Sequence, residues 1–267
     1  MMLSVTYLCS YLYCPRKLYL NLVLGLQEKV KDVTIKGKIR HGAYELASRR
    51  EKEVIVGLDS KKRYEEFEMD FRRMYNKVLM WLISQNKKEV DSVGLKTLDL
   101  YKELWPLFVI ECRERSLEVF EFAQKNSVFG EDLWFKLPKG IPELYVKSDK
   151  LGLKGRVDNV EVDGDNFIPI EFKTGRAPED GAWKNHMVQV GAYMLLLSEH
   201  YGKEINYGYV DYKEKDRIKV VMNPFLKDEI FELRDKVNAL LEGKDLPPKL
   251  ENKKCDSCGL KDECFNR

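Results

Sequence analysis

An α/β fold is what the sequence predicts, on two observations. Long stretches carry apolar residues at three- and four-residue steps, and a run of short, β-rich segments begins near Pro142. The first helical stretch is 61–88, where Phe67, Phe71, Met74, Val78 and Trp81 share one face. Residues 98–126 repeat the pattern, with Pro106 expected to kink or divide the helix. Residues 143–146, 153–162 and 167–174 read as strands, and Asp163-Gly164-Asp165 is a hairpin signal between the last two. A helix over about 182–200 follows, then two strand-like runs, 205–212 and 217–222, separated by a charged turn. The closing helix has Asn223 as its cap, Pro224 at its first position and Gly243 at its end. At the other terminus, the aromatic and apolar stretch around Cys14-Pro15-Arg16-Lys17 reads as a short helix or turn. Residues 27–41 are locally basic, with Lys29, Lys31, Lys36, Lys38 and Arg40.

The 267 residues, 44% of them hydrophobic, suffice for one large domain or a domain with a small appendage. Lys and Arg number 46 against 44 Asp and Glu, a net charge of +2, so attraction to phosphates has to come from local patches. No apolar run reaches the roughly 18 residues of a membrane-spanning helix. The first residues also lack the basic, apolar and small-residue succession of a signal peptide. A soluble, cytoplasmic protein without a membrane partner is expected. In a reducing compartment its six cysteines are thiols or metal ligands rather than three disulfides.

The sharpest constellation is Gly155-Arg156-Val157-Asp158 followed by Ile170-Glu171-Phe172-Lys173. Alternate side chains of a strand share a face, so Glu171 and Lys173 point one way and Phe172 the other. A hairpin with the preceding strand brings Asp158 to them. Two carboxylates and the backbone carbonyl of Phe172 then form an oxygen-rich site suited to Mg²⁺ or Mn²⁺, with Lys173 beside the reacting water or the developing charge. A bare Glu-x-Lys is usually a solvated charge pattern. The apolar flank 167–170 and the upstream Asp shift the balance toward a metal site. His41, after Gly37-Lys38-Ile39-Arg40, offers a nitrogen ligand, although a lone histidine is more often packed or superficial. Gln189 and Tyr193 are four residues apart on one helical face, with His186 near it. They can contact a phosphate backbone or orient Lys173; a polar helix edge is the default explanation.

Cys255-x-x-Cys258-x5-Cys264 places three thiols in the tail, and a metal centre needs a fourth ligand. Cys14 is the best candidate and Cys9 its rival; Cys112, inside a helical pattern, reads as a buried thiol. Spacing alone leaves zinc and iron–sulfur chemistry both open.

Taken in order, these motifs resemble the RecB-like exonucleases of the PD-(D/E)XK superfamily, and most closely the CRISPR-associated iron–sulfur branch, the Cas-four family. The resemblance implies a restriction-endonuclease-like core, a mixed central β-sheet flanked by helices, with a helical insertion at about 50–130. It implies a nuclease domain over 27–243 and an iron–sulfur module of 1–26 and 244–267, whose 4Fe–4S cluster is held by Cys14, Cys255, Cys258 and Cys264. It further implies metal ligation by His41, Asp158, Glu171 and the Phe172 carbonyl, catalysis by Asp158, Glu171 and Lys173, and DNA-binding or supporting roles for Gln189, Tyr193 and Arg40. The activity expected is a Mg²⁺- or Mn²⁺-dependent exonuclease on single-stranded DNA or single-stranded ends, 5′-to-3′, preparing DNA for a CRISPR integrase. A repair or replication nuclease and a non-catalytic iron–sulfur scaffold are the alternatives.

Overall fold

The computed structural model describes all residues except 29, 174, 213–216, 244, 257 and 267. Two compact units emerge: Met1–Lys29 with Lys139–Arg267, and Val30–Pro138. The chain opens with a short strand β1 (Leu3–Ser4) and two helices, α1 (Val5–Tyr13) and α2 (Pro15–Leu22). Cys14 separates the helices in an extended conformation, and Pro15 starts the second one with its φ already set for a helix.

The second unit is helical: α3 (Asp32–Ile55), α4 (Tyr64–Gln85), α5 (Lys87–Ser92), α6 (Thr97–Asn126) and α7 (Gly130–Lys136). Its core is built where the apolar period predicts it, from Phe67, Phe71, Val78 and Leu79 of α4 against Leu100, Leu104, Phe108 and Val119 of α6. Two expectations are corrected here. Trp81, assigned to the apolar face of the first helix, is exposed. Pro106 does not divide its segment, because α6 runs unbroken through it and the buried residues on either side keep the helix on its neighbours. Lys36, Lys38 and Arg40 of the basic stretch lie in the first turns of α3, a helix that charge alone does not announce, and Lys31 precedes it as its N-cap; Lys29 lies outside the described residues. Cys112 is fully buried in α6, as expected of an inert thiol.

The first unit resumes with β2 (Gly140–Ser148), β3 (Leu153–Asp163) and β4 (Asn166–Lys173), then α8 (Lys184–Tyr201), β5 (Tyr207–Tyr212), β6 (Ile218–Val221), α9 (Pro224–Glu242) and, in the tail, α10 (Lys261–Phe265). Gly164 takes a left-handed φ of +57° in the β3–β4 turn. Asn223 caps α9 by accepting the Leu226 N–H at 2.9 Å, with Pro224 at the first position and Gly243 at the end, as the sequence predicts. Thr174 and the charged turn expected between β5 and β6 lie outside the described residues.

The sheet is mixed. Its strand order is β1-β3-β4-β5-β6, with β2 paired to β3. β3 is antiparallel to β2 and β4, while β4 is parallel to β5, a connection that requires the crossover helix α8. Helices α1, α8 and α9 share a core with the sheet that includes Leu8, Val157, Val188, Val190, Val210 and Ile230. Among the described residues, no helix is long and apolar enough to cross a membrane.

Two pairings set the site. β3 pairs with β4 from the turn back to Asn159↔Ile170, and β4 pairs with β5 from Ile170↔Tyr209 to Lys173↔Tyr212. On one edge of β4 the pairing with β3 ends at Ile170, just before Glu171, while on the other edge β5 stays paired as far as Lys173.

Gly155 in β3 is where this packing tolerates no side chain, since an added Cβ would stand 2.6 Å from Cε1 of Tyr193 and 3.3 Å from Cγ2 of Val5. Gly155→Ala should cost about 1–3 kcal/mol of overpacking. In a thermal melt this appears as a midpoint several degrees below the parent's, and an unchanged midpoint would mean that the Tyr193 ring is not seated there.

Candidate active site

Beyond Ile170, one step further along the β3–β4 register puts Asp158 beside Glu171. Instead of a carbonyl of β3, the Asp158 side chain accepts the Phe172 N–H, Oδ2 at 2.8 Å. A backbone donor that leaves its ladder has to find another acceptor, and here a carboxylate provides it. Asp158 is thereby fixed at the mouth of the hairpin. Burial pushes its carboxyl up to about 7, against the opposing pull of the Phe172 N–H and Lys173, and with a further push from Glu143.

Glu171 and Lys173 share a face, as strand alternation requires, and Lys173 Nζ donates to Glu171 Oε1 at 2.7 Å. Glu171 is only 4% exposed. Burial disfavours the ammonium of Lys173, but the Glu171 carboxylate and its hydrogen bond outweigh it, with Asp158 adding to them. The lysine pKa therefore stands above its ordinary value, and the side chain is a cation at neutral pH.

The apolar face of α8 carries a polar interruption, Gln189, between Val188 and Val190. Its Oε1 accepts Lys173 Nζ at 2.9 Å, and its Nε2 donates to Glu171 Oε1 at 2.6 Å and to the Tyr193 hydroxyl at 3.2 Å. One amide thus holds both members of the Glu171–Lys173 pair, and both its donor and acceptor ends are used. Gln189 and Tyr193 are buried, which suits holding the carboxylate and lysine better than reaching a phosphate backbone. Burial raises the Tyr193 phenol above its usual range, so it stays protonated.

Three neighbours complete the surroundings. Cys9 of α1 lies against the Asn185 carbonyl at 3.3 Å and Gln189 Oε1 at 3.8 Å, and burial pushes its thiol up to about 12. His186 shares a 2.7 Å hydrogen bond with the Tyr212 hydroxyl; burial, followed by the charge of Lys173, lowers its pKa to about 4. Glu143 of β2 offers a carboxylate oxygen within 4.8 Å of one from Asp158. The sequence reading missed Glu143 and Tyr212, since neither stands in a motif.

His41 and Arg40 lie on α3 of the helical unit. Arg40 pairs there with Glu111 at 3.1 Å.

Asp158 lies near the carboxylates of both Glu143 and Glu171, and these hard, buried or half-buried oxygens have the chemistry that fits a divalent cation. A family model described as the PD-(D/E)XK nuclease superfamily matches residues 2–265. The chain belongs to this nuclease superfamily. The chain is also 32% identical over 133 residues to a CRISPR-associated exonuclease Cas4/endonuclease Cas1 fusion of Leptospira interrogans, covering 47% of this chain and 24% of that one. It is 29% identical over 127 residues to a CRISPR-associated exonuclease Cas4 of Rhodospirillum rubrum, which covers 46% of this chain and 38% of that one. Similarity to the DNA replication ATP-dependent helicase/nuclease dna2 of Schizosaccharomyces pombe is 25% over 278 residues, 99% of this chain and 18% of that one. The chain thus spans well under half the length of each of these relatives.

In this member of the PD-(D/E)XK superfamily the N-terminal helices and the tail meet around Arg16, which is 5% exposed. Its guanidinium donates to the Pro247 carbonyl at 2.6 Å, to Cys264 Sγ at 3.1 Å and to the Cys264 carbonyl at 3.2 Å. The Tyr13 hydroxyl adds a 3.3 Å bond to the Lys254 carbonyl. Residues flanking Cys14 therefore hold the segment that carries Cys255 and Cys264. Cys14 Sγ accepts the Lys17 N–H at 3.4 Å, and the Cys258 N–H donates to the Cys255 carbonyl at 3.2 Å. All six cysteines are free of disulfides. A thiol beside a guanidinium, Cys264 next to Arg16, has the chemistry of an anionic, thiolate-held metal group. Arg16 also escaped the sequence reading, since only the folded chain brings residues 16 and 264 together.

Proposed function

We propose that the chain is a metal-dependent exonuclease that degrades single-stranded DNA, or DNA with single-stranded ends, from 5′ to 3′. The observation that carries this reading is the joining of Asp158, Glu171, Lys173 and Gln189 where β4 leaves β3. Asp158, Glu171 and the Phe172 carbonyl are the proposed ligands of Mg²⁺ or Mn²⁺, with His41 as nitrogen ligand on the strength of the sequence resemblance. A divalent ion held there supplies Lewis acidity toward a scissile phosphate. Lys173, a fixed cation, orients the attacking water and offsets charge building on the phosphate. Gln189 and Tyr193 keep Glu171 and Lys173 in place, and Arg40 is proposed to bind DNA.

In the same reading Cys14, Cys255, Cys258 and Cys264 hold a 4Fe–4S cluster, and residues 1–26 and 244–267 form its module, joined to a nuclease domain over 27–243. The work proposed for it, in the cytoplasm, is trimming DNA for CRISPR spacer acquisition beside an integrase. The similarity to proteins named as Cas4/Cas1 fusions supports this. One observation favours a second reading, replication or repair, because the similarity to the helicase/nuclease runs along 99% of the chain. Adjacent integrase genes would favour the first reading and their absence the second.

Single-stranded DNA labelled at either end and incubated with Mn²⁺ tests the activity. The parent should shorten it from the 5′ end, while Glu171→Ala and Lys173→Ala lose on the order of 100-fold or more in rate. An inert parent, or variants that digest equally well, would refute the assignment and favour a non-catalytic scaffold. Purified without oxygen, the parent should be brown and contain iron, and Cys14→Ser and Cys264→Ser should lose the colour. A colourless parent with stoichiometric zinc would overturn the cluster.

A further inference from the structure

Trp183 is the N-cap residue of α8, and 49% of it is exposed. A single exposed apolar residue is ordinary. This one is pinned twice. Its backbone N–H donates to the Tyr212 hydroxyl at 3.1 Å, and its indole Nε1–H donates to the Arg176 carbonyl at 2.9 Å. Tyr212 is the register partner of Lys173 and shares its hydroxyl with His186. Burial raises the Tyr212 phenol, against the pulls of the Trp183 N–H and of the Lys173 charge, which sets this anchor beside the Glu171–Lys173 pair. The indole has one polar atom, and with that atom bonded inward the part turned to solvent is apolar ring. Among the described residues, no other ring and no cation stacks on it. Arg176 is exposed too, and its guanidinium makes no ion pair or hydrogen bond among the described residues. Glu179 and Asp180 share the same connection, so charge alone does not draw a strand here and the ring has to carry the larger part.

We propose that Trp183 and Arg176 form a subsite for single-stranded DNA, in which an unpaired base stacks on the indole and a neighbouring phosphate meets the guanidinium. The inference rests on the reading of the chain as a nuclease for single strands given above. Both residues lie in the connection between β4, which ends on Lys173, and α8, which carries Gln189. A strand gripped there is held next to the Glu171–Lys173 pair. Every base has a π-face, so stacking grips a strand without regard to sequence, as a trimming enzyme needs. A base inside a duplex already has neighbours on both faces and has none free for the indole, so the subsite selects single strands. A ring fixed by two hydrogen bonds also loses little freedom when a base covers it, which leaves more of the stacking energy for binding.

Binding of a fluorescein-labelled oligothymidylate to the full chain without added divalent ion, read by fluorescence anisotropy, tests this apart from cleavage. Trp183→Ala should weaken binding by about tenfold. Trp183→Phe keeps a ring and loses the indole hydrogen bond, and it should keep most of the affinity. Arg176→Gln should lower the slope of log affinity against log salt by about 0.7, the share of one phosphate contact on a single strand. A blunt duplex of the same length should bind the parent and Trp183→Ala equally. Oligothymidylate binding by Trp183→Ala at the parent's affinity would overturn the subsite. So would an equal loss in Trp183→Phe and Trp183→Ala, which would mean that the residue only anchors the connection, or an equal loss on the duplex. An unchanged salt slope in Arg176→Gln would remove Arg176 from it. Any of these results with a parent that binds and digests single strands leaves the nuclease reading standing, whereas a parent that binds no single strand removes both.

Discussion

The Phe172 N–H donates to the carboxylate of Asp158, where a regular ladder would give it a carbonyl of the neighbouring strand. Much of the candidate site depends on that substitution. It lets β4 part from β3 after Ile170 without leaving its amide unsatisfied, while β5 pairs with the opposite edge of β4 from Ile170 to Lys173. The mouth of the hairpin opens on the face where Glu171 and Lys173 project. A fully paired hairpin would occupy the Phe172 amide with backbone and leave Asp158 no fixed anchor. The constraint is one of hydrogen-bond accounting, and it positions carboxylates as a by-product.

Buried charges have to be paired or bonded to persist, and the site meets that demand from α8. Gln189 joins Glu171 to Lys173 with one amide, and Tyr193 fixes that amide in turn. The Tyr193 ring occupies the space that a side chain at position 155 would take, so the glycine in Gly155-Arg156-Val157-Asp158 answers to packing. The glycine, the carboxylates, the lysine, the glutamine and the tyrosine therefore belong to one packed arrangement. A change at any of them is felt by the others.

What the sequence made legible was local. Strand alternation put Glu171 and Lys173 on one face, Asp163-Gly164-Asp165 marked the turn that returns Asp158 to them, and Asn223-Pro224 started α9 where expected. The superfamily, too, could be reached from the order of its motifs. What stayed hidden depends on the tertiary fold. Glu143 looks like any glutamate in a short strand until the β2–β3 register sets it across from Asp158. Arg16 looks like a surface cation until the chain ends meet around it, and the burial of Gln189 depends on α8 crossing the sheet. Pro106 misled for the opposite reason, since tertiary packing kept whole a helix that local geometry would interrupt.

The central claim is that one cation belongs at the opening between β3 and β4. Anomalous diffraction from a crystal soaked in Mn²⁺ locates such an ion directly. The account predicts a peak bounded by the carboxylates of Asp158 and Glu171 and the carbonyl of Phe172. A fully soaked crystal with no peak there, or with manganese held only elsewhere, would contradict it.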